Sequence, residues 1–188
     1  DHQRLLDILQ SGHYDICLNA VVGAAGLPFS EAVLSAGCDL ALANKESLVM
    51  AGSILMSLAA SNSATIVPVD SEHSAIFQCL VGETAPIKQL LLTASGGALR
   101  DMPLADLATA TTAQALAHPN WDMGPRITID SATMMNKAFE IIEAHCLFGV
   151  SAEQIKVLIH RQSVIHSMVE FLDGSIIAQM GPPDMGFP

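Results

Sequence analysis

Two short stretches carry most of the chemistry that this sequence could do. Asp70, Ser71 and Glu72 form one, and Asn136, Lys137 and Glu140 form the other. The first supplies two carboxylates and a hydroxyl. The second supplies an amide, a cation and a third carboxylate. Residues two apart at the end of an extended segment point the same way, and converging carboxylates suit a hard divalent cation such as Mg²⁺ or Mn²⁺. Asn136, Lys137 and Glu140 stand three and four apart on an expected helix, so they share one flank, opposite the apolar face. A metal set beside a cation points to an anionic, phosphorylated small-molecule substrate. Both stretches also have a plainer reading. Asp, Ser and Glu are ordinary at a helix start, where they meet free N–H groups and the helix dipole. A Lys–Glu pair on a helix is commonly solvated and worth little.

Other segments add weaker signals. Ser95-Gly96-Gly97 closes an apolar run. Glycines let backbone N–H groups approach a phosphate, and the hydroxyl adds a donor, although Gly-Gly also punctuates simple turns. The loop from His118 to Gly124 holds Trp121, the single Trp. A large aromatic on a moving loop covers a substrate and excludes water, whereas a buried Trp only fills a core. Ser131 and Thr133 stand at the start of the expected helix, where anions bind readily. Lys45, in Asn44-Lys45-Glu46, follows an expected strand, and ligands of parallel α/β sheets bind beyond the carboxyl ends of strands; a surface helix start is the alternative. His73, His145, His160 and His166 read as structural, because no ligand partner is spaced with them.

Those groups need elements to hold them. A chain of 188 residues suffices for one domain, or one and part of another, and an apolar half provides a core. The net charge of −11 excludes the basic stripe that nucleic acid requires. No apolar run reaches about 18 residues, so no membrane span is expected. Cys17, Cys38, Cys79 and Cys146 are widely spaced and read as reduced thiols in a reducing compartment, not as a zinc site. The chain lacks an initiator Met and a visible signal peptide, and is expected to begin inside a longer protein.

The patterning predicts helix over 4–11, strand over 15–22, a turn at Gly23-Ala24-Ala25-Gly26, helix over 30–36, strand over 39–43 and helix over 46–60, with Gly52 a flaw. That alternation signals parallel α/β winding. Residues 61–63 read as a linker. A strand over 65–69 then delivers Asp70 to a helix over 71–81, and a strand follows over 87–93. Residues 104–116 read as helix, 118–126 as loop and 127–129 as extended. The strongest helix spans 131–148, capped by Asp130, with Met135, Ala138, Phe139, Ile142 and Cys146 as its apolar set. Strands follow over 156–160, 164–172 and 175–180, with Asp173-Gly174 a hairpin turn.

Taken together, the motifs Leu42-Ala43-Asn44-Lys45-Glu46-Ser47-Leu48-Val49, Pro68-Val69-Asp70-Ser71-Glu72-His73 and Thr93-Ala94-Ser95-Gly96-Gly97 resemble those of the 1-deoxy-D-xylulose 5-phosphate reductoisomerase family. So do His118-Pro119-Asn120-Trp121-Asp122-Met123-Gly124, the run from Ile129 to Lys137, and Pro183-Asp184-Met185, all in the family's order. The resemblance implies an α/β fold: the C-terminal part of a Rossmann-like NADPH-binding domain over residues 1–63, then an α+β catalytic domain with a mixed sheet over 64–188, without the C-terminal helical domain. It implies metal ligation by Asp70, Glu72 and Glu140, with Mn²⁺ or Mg²⁺. It matches Ser95, Ser131, Asn136 and Lys137 to the phosphate and neighbouring hydroxyls, and Lys45, Ser71 and His118 to further substrate contacts. Lys45, Glu72 and His118 would be catalytic; Glu72 and Glu140 would also touch substrate. Asn44, Glu46 and Gly124 match positions beside NADPH, and Trp121 and Met123 the closing loop.

The implied reaction is the NADPH-dependent rearrangement and reduction of 1-deoxy-D-xylulose 5-phosphate to 2-C-methyl-D-erythritol 4-phosphate, in isoprenoid synthesis. The implied assembly is a homodimer paired through the sheet of the 173–174 hairpin, and the implied location is bacterial cytoplasm, with a plastid as alternative. Some positions depart from the family. No glycine-rich dinucleotide fingerprint is present, Gly186 stands where Arg is usual, and Ala98-Leu99 replace a common Pro-Phe. A phosphosugar lyase or phosphatase that uses the metal without NADPH, and a non-catalytic α/β domain, remain as other readings of the same residues.

Overall fold

The computed structural model describes residues 2–119 and 123–184. Two sheets organise the chain. The first is parallel, in the order β1-β2-β3, built from β1 (Ile16–Asn19), β2 (Asp39–Leu42) and β3 (Ile66–Pro68). After α1 (His2–Gln10), the helices α2 (Leu27–Ser35) and α3 (Lys45–Ser61) make the crossovers. Leu34, Leu40, Leu48 and Leu55 are buried between helices and sheet. Asn19 pairs with Leu42 and Leu42 with Pro68, so the three strands end level. That alignment places Asn44, Lys45 and Asp70 along one edge, at the carboxyl ends where such sheets bind ligands.

The second sheet is mixed, in the order β5-β4-β6-β7. Its central strand β4 (Ile87–Ala94) runs parallel to β5 (Ile155–Ile159) and antiparallel to β6 (Ile165–Phe171), which turns back into β7 (Ile176–Met180). Ile76, Leu90, Leu92, Val169 and Phe171 form its core. The helices α4 (Ser71–Leu80) and α7 (Met135–Phe148) supply Ile76 and Ala144 to that core. Helix α3 crosses α7 closely: a Cβ on Gly52 would lie 2.4 Å from Cys146 Sγ. The glycine expected as a flaw is where the two helices meet, beside a kink at Ala51.

Four sequence expectations are corrected. Residues 127–129, expected extended, lie inside α6 (Pro125–Ala132). Pro125 pre-sets the first turn, and buried Thr128 donates its hydroxyl to the Gly124 carbonyl at 2.9 Å. The helix expected over 131–148 is broken, because Met134 adopts a left-handed φ of 61° and α7 starts at Met135, with Asp130 inside α6 and not a cap. The helix expected over 104–116 is a 3-10 turn (Leu104–Thr109) and, after an extended Ala110, a short α5 (Thr112–Leu116) capped by a Thr111–Gln114 capping box. Finally, α7 buries the opposite side from that expected. Lys137, Glu140, Glu143 and Ala144 are inside, while Met135 and Ile142 are 48% and 40% exposed.

Among the described residues, no helix is long and apolar enough to cross a membrane. All four cysteines are free thiols.

Candidate active site

The buried side of α7 faces the edge where the parallel strands end. Asp70 follows β3 at the head of α4, but its side chain makes no capping hydrogen bond. Its Oδ2 accepts from Lys45 Nζ at 2.9 Å and lies 3.5 Å from His73 Nδ1. The helix-start reading of this acid therefore fails. Glu72, two residues along, lies 3.1 Å from Lys137 Nζ through Oε1 and accepts from the Ser71 hydroxyl through Oε2. Glu140 is fully buried and accepts from Asn136 and Lys137, with Lys45 Nζ at 3.7 Å. Lys45 also donates to Asn136 Oδ1 at 2.8 Å, and Lys137 to the Thr93 carbonyl at 2.6 Å. The plainer reading of Lys137 and Glu140 as a solvated pair therefore fails: both belong to a buried network joining α3, α4, α7 and β4.

Oxygens of Asp70, Glu72 and Glu140 all lie within 4.8 Å of one another. Three carboxylates at that spacing, with no nitrogen or sulfur donor among them, fit a hard cation such as Mg²⁺ or Mn²⁺. The charges are strongly perturbed. Burial works against charge on Lys45, yet Asp70 and Glu140 outweigh it and hold the ammonium well above its usual range. Lys137 behaves likewise, held up by Glu140 and Glu72 against its burial. Burial would raise Asp70, but Lys45 and His73 carry it far below the ordinary carboxylate range. Glu140 goes the other way, to about 7, through burial and then the nearby Glu72 charge.

His73 completes the network from behind. It is buried, its Nε2 lies 2.9 Å from the Glu140 carbonyl, and its Nδ1 faces Asp70 and, at 3.9 Å, Glu143. Burial opposes its charge, but the nearby Asp70 and Glu143 carboxylates raise it to about 9. Neither His73 nor Glu143 is marked by sequence spacing; both enter through packing of α4 on α7. His145 Nδ1 lies 2.7 Å from the Val150 carbonyl, in keeping with a structural role.

A cleft opens from the carboxylates toward Ser95, Ser131 and His118. Gly96 and Gly97 have φ of 88° and 72°, values that favour glycine. The Ser95 hydroxyl lies 2.9 Å from His118 Nε2 and accepts from the Gly97 N–H at 3.3 Å. A Cβ on Gly97 would lie 2.4 Å from the Ser131 carbonyl oxygen, so the turn rests directly on α6. Ser71, Asn136, Lys137 and Met123 line the same cleft. Trp121 falls outside the described residues, as does Gly186. His160 and His166, expected as structural, also line this cleft, with Ser163 between them. Only the pairing of β5 and β6 on either side of β4 carries them there, which no local spacing reveals.

A second cleft lies between the ends of β1 and β2 and the start of α6. Asn44, Glu46, Gly124 and Arg126 line it. Asn44 caps α3 by accepting from the Ser47 N–H at 3.0 Å, while its amide donates to the Val21 and Gly23 carbonyls and to Glu46. Arg126, unremarkable in the sequence, reaches Glu46 at 3.0 Å across the cleft.

Comparison with known proteins agrees with this arrangement. The family model described as 1-deoxy-D-xylulose 5-phosphate reductoisomerase matches residues 1–52, and that described as the C-terminal domain of the same enzyme matches residues 66–148. The chain belongs to the 1-deoxy-D-xylulose 5-phosphate reductoisomerase family. A relative of that name from Bacteroides fragilis is 56% identical over 185 residues, which is 98% of this chain and 48% of the relative. One from Xanthomonas euvesicatoria is 58% identical, covering 96% of this chain and 46% of its own length. The chain thus spans about half the length of the curated relatives it matches.

A crystal structure of DOX-P reductoisomerase in complex with NADPH, fosmidomycin and magnesium superposes with a TM-score of 0.90 at 47% identity, covering 97% of this chain and 48% of that one. The enzyme from Zymomonas mobilis in complex with NADPH gives a TM-score of 0.88 at 46% identity, over 98% of this chain and 47% of that one. The α/β architecture with one parallel and one mixed sheet is accordingly the fold of these family structures.

Proposed function

We propose that this chain is the metal- and substrate-binding part of an enzyme that isomerises and reduces 1-deoxy-D-xylulose 5-phosphate to 2-C-methyl-D-erythritol 4-phosphate, using NADPH and a divalent cation, in non-mevalonate isoprenoid synthesis. The observation that carries the reading is the meeting of Asp70, Glu72 and Glu140 within 4.8 Å, next to a cleft lined by Ser95, Ser131 and His118. Asp70, Glu72 and Glu140 would hold Mg²⁺ or Mn²⁺; when bound, the ion supplies Lewis-acid stabilisation of negative charge on substrate oxygen. Lys45 and Asn136, hydrogen-bonded to each other, face the same carboxylates and hold an ammonium where that charge gathers.

Ser95 and Ser131 offer hydroxyls for the substrate phosphate, with Ser71, Asn136, Lys137 and His118 as further contacts. His118, set against Ser95, is kept below its usual pKa first by burial and then by Arg100, which favours its neutral form and suits it to hold or pass a proton. The phosphate is remote from the reacting carbons, so binding it orients the chemistry. Met123, and Trp121 beside it in sequence, would cover the bound sugar and exclude water. Asn44, Glu46 and Gly124 line the second cleft, which suits the nicotinamide end of NADPH, the hydride donor; related structures are described with NADPH and magnesium.

Residues 1–63 would belong to the NADPH-binding domain and 64–188 to the catalytic domain. The exposed edge strand β7, with Ile176 and Met180 more than half exposed, supports pairing with a second copy as a homodimer. The four free thiols and the bacterial relatives support a bacterial cytoplasm, with a plastid as the other location. The test is NADPH oxidation dependent on 1-deoxy-D-xylulose 5-phosphate and Mn²⁺, measured on the protein at its natural full length. Turnover of the sugar phosphate without NADPH consumption would favour a lyase or phosphatase. Absence of any turnover, with no Mn²⁺ binding, would favour an inert domain.

A further inference from the structure

Arg100 sits on the segment leaving the Ser95–Gly97 turn and is not among the metal, substrate or cofactor contacts assigned above. Its side chain folds back beneath the turn, and Nη1 donates to the Ser95 carbonyl at 2.6 Å. Gly96 makes room for it: a Cβ there would lie 3.0 Å from Arg100 Cβ and 3.1 Å from Cδ. The side chain is only 15% exposed, and Nε is 3.5 Å from an Asp101 carboxylate oxygen, without a hydrogen bond. A guanidinium held this way is always ionised.

The peptide unit after Ser95 is planar and trans, so its C=O and the Gly96 N–H point to opposite sides. Drawing the carbonyl toward Arg100 therefore turns the Gly96 N–H away from Arg100, and Gly96 lines the cleft. The same turn presents the Ser95 hydroxyl to His118 and is braced by Gly97 against Ser131. The charge matters as well, because Lys137, the lysine lining this cleft, is held by Glu72, Glu140 and the Thr93 carbonyl. We propose that Arg100 is a positioning residue for the anion-binding turn: it pins the Ser95 carbonyl so that the Gly96 N–H and the Ser95 hydroxyl face the substrate phosphate, and it places a permanent positive charge behind them. This rests on the reading of the turn as the phosphate site. Burial and then the Arg100 charge lower the His118 pKa, the direction a cation beside the cleft produces.

The experiment compares wild type, Arg100→Met and Arg100→Lys at natural full length. Inorganic phosphate and Mn²⁺ binding are measured by calorimetry, and steady-state kinetics are measured with the phosphorylated substrate. Loss of a charged hydrogen bond predicts that Arg100→Met weakens phosphate binding and raises KM about tenfold or more. Mn²⁺ affinity should stay within about threefold, since the metal carboxylates Asp70, Glu72 and Glu140 do not touch Arg100. Arg100→Lys, which keeps the charge but not the fork, should fall between. Should Arg100→Met fail to fold, the Lys variant decides, with KM raised at least about threefold expected. Wild-type phosphate affinity and KM in the variants overturn the inference alone. Equal losses in phosphate and Mn²⁺ binding also overturn it, since they mark general loosening. A wild-type protein that binds no phosphate overturns the phosphate reading and this inference together.

Discussion

Glu140→Gln removes one of three clustered carboxylates while keeping the side chain's shape. In the wild type both oxygens have fixed partners, Asn136 and Lys45 on one and Lys137 on the other, and the residue is fully buried. The amide retains one acceptor and loses the charge. Groups that only orient a metal's ligands commonly contribute about 10–100-fold in affinity, and a direct ligand should contribute no less. The Kd for Mn²⁺ should therefore rise at least about tenfold, or about 1.4 kcal/mol. The pH of the assay decides how clearly this is seen. Glu140 is raised to about 7, first by burial and then by Glu72. Below that pH its carboxyl is protonated, and a cation must displace the proton. Wild type and variant should converge in acid and separate above neutrality. Calorimetric titration with Mn²⁺ at about pH 8 and at about pH 6, on full-length protein shown folded by circular dichroism, reads both effects. Superimposable isotherms at the higher pH would refute a cation site that includes Glu140.

Two further outcomes follow from the same geometry. Gly97→Ala must place a Cβ 2.4 Å from the Ser131 carbonyl oxygen at a φ of 72°, so it should cost on the order of 3 kcal/mol in urea unfolding; a variant as stable as wild type would show that the turn does not rest on α6. Stability of the metal-free protein should also fall as pH rises. Glu140 and Glu143 are raised, chiefly by burial, and His73 is raised to about 9 by Asp70 and Glu143 against its burial. The folded state therefore holds more protons than the unfolded one from about pH 5 to about pH 9, and stability declines across that window. Asp70, depressed by Lys45 and His73, adds stability that is constant there and lost only in strong acid. A urea midpoint unchanged or higher at about pH 9 than at about pH 6 would contradict the charge assignment.

Local chemistry was largely legible. Helices α3 and α4, strand β4 and the hairpin between β6 and β7 form where apolar runs and the Asp173-Gly174 turn place them. The three acids and two lysines could be named from motif order, but their spacing alone favoured a solvated pair and an ordinary helix start. Failures concentrated around the site. Ile127, Thr128 and Ile129 have strand-forming side chains yet complete a helix, because Pro125 starts it and the turn at Ser95 packs against it. Met134 takes a left-handed conformation that its residue type does not announce.

By itself, the sequence determined the alternation of strands and helices, the residues at the strand ends, and the family, since these rest on short-range periodicity and on motifs read in order. Tertiary structure alone decided that α7 buries its charged flank, that Asp70 turns from the helix to Lys45, and that His160, Ser163 and His166 gather round one cleft with Arg100 behind its Ser95 turn. Hydrophobic periodicity cannot anticipate a buried charge, because burial becomes tolerable only when opposite charges arrive from elsewhere in the chain. Here Lys45 meets Glu140, and Glu72 meets Lys137, across separations that only the packing of α3, α4 and α7 closes.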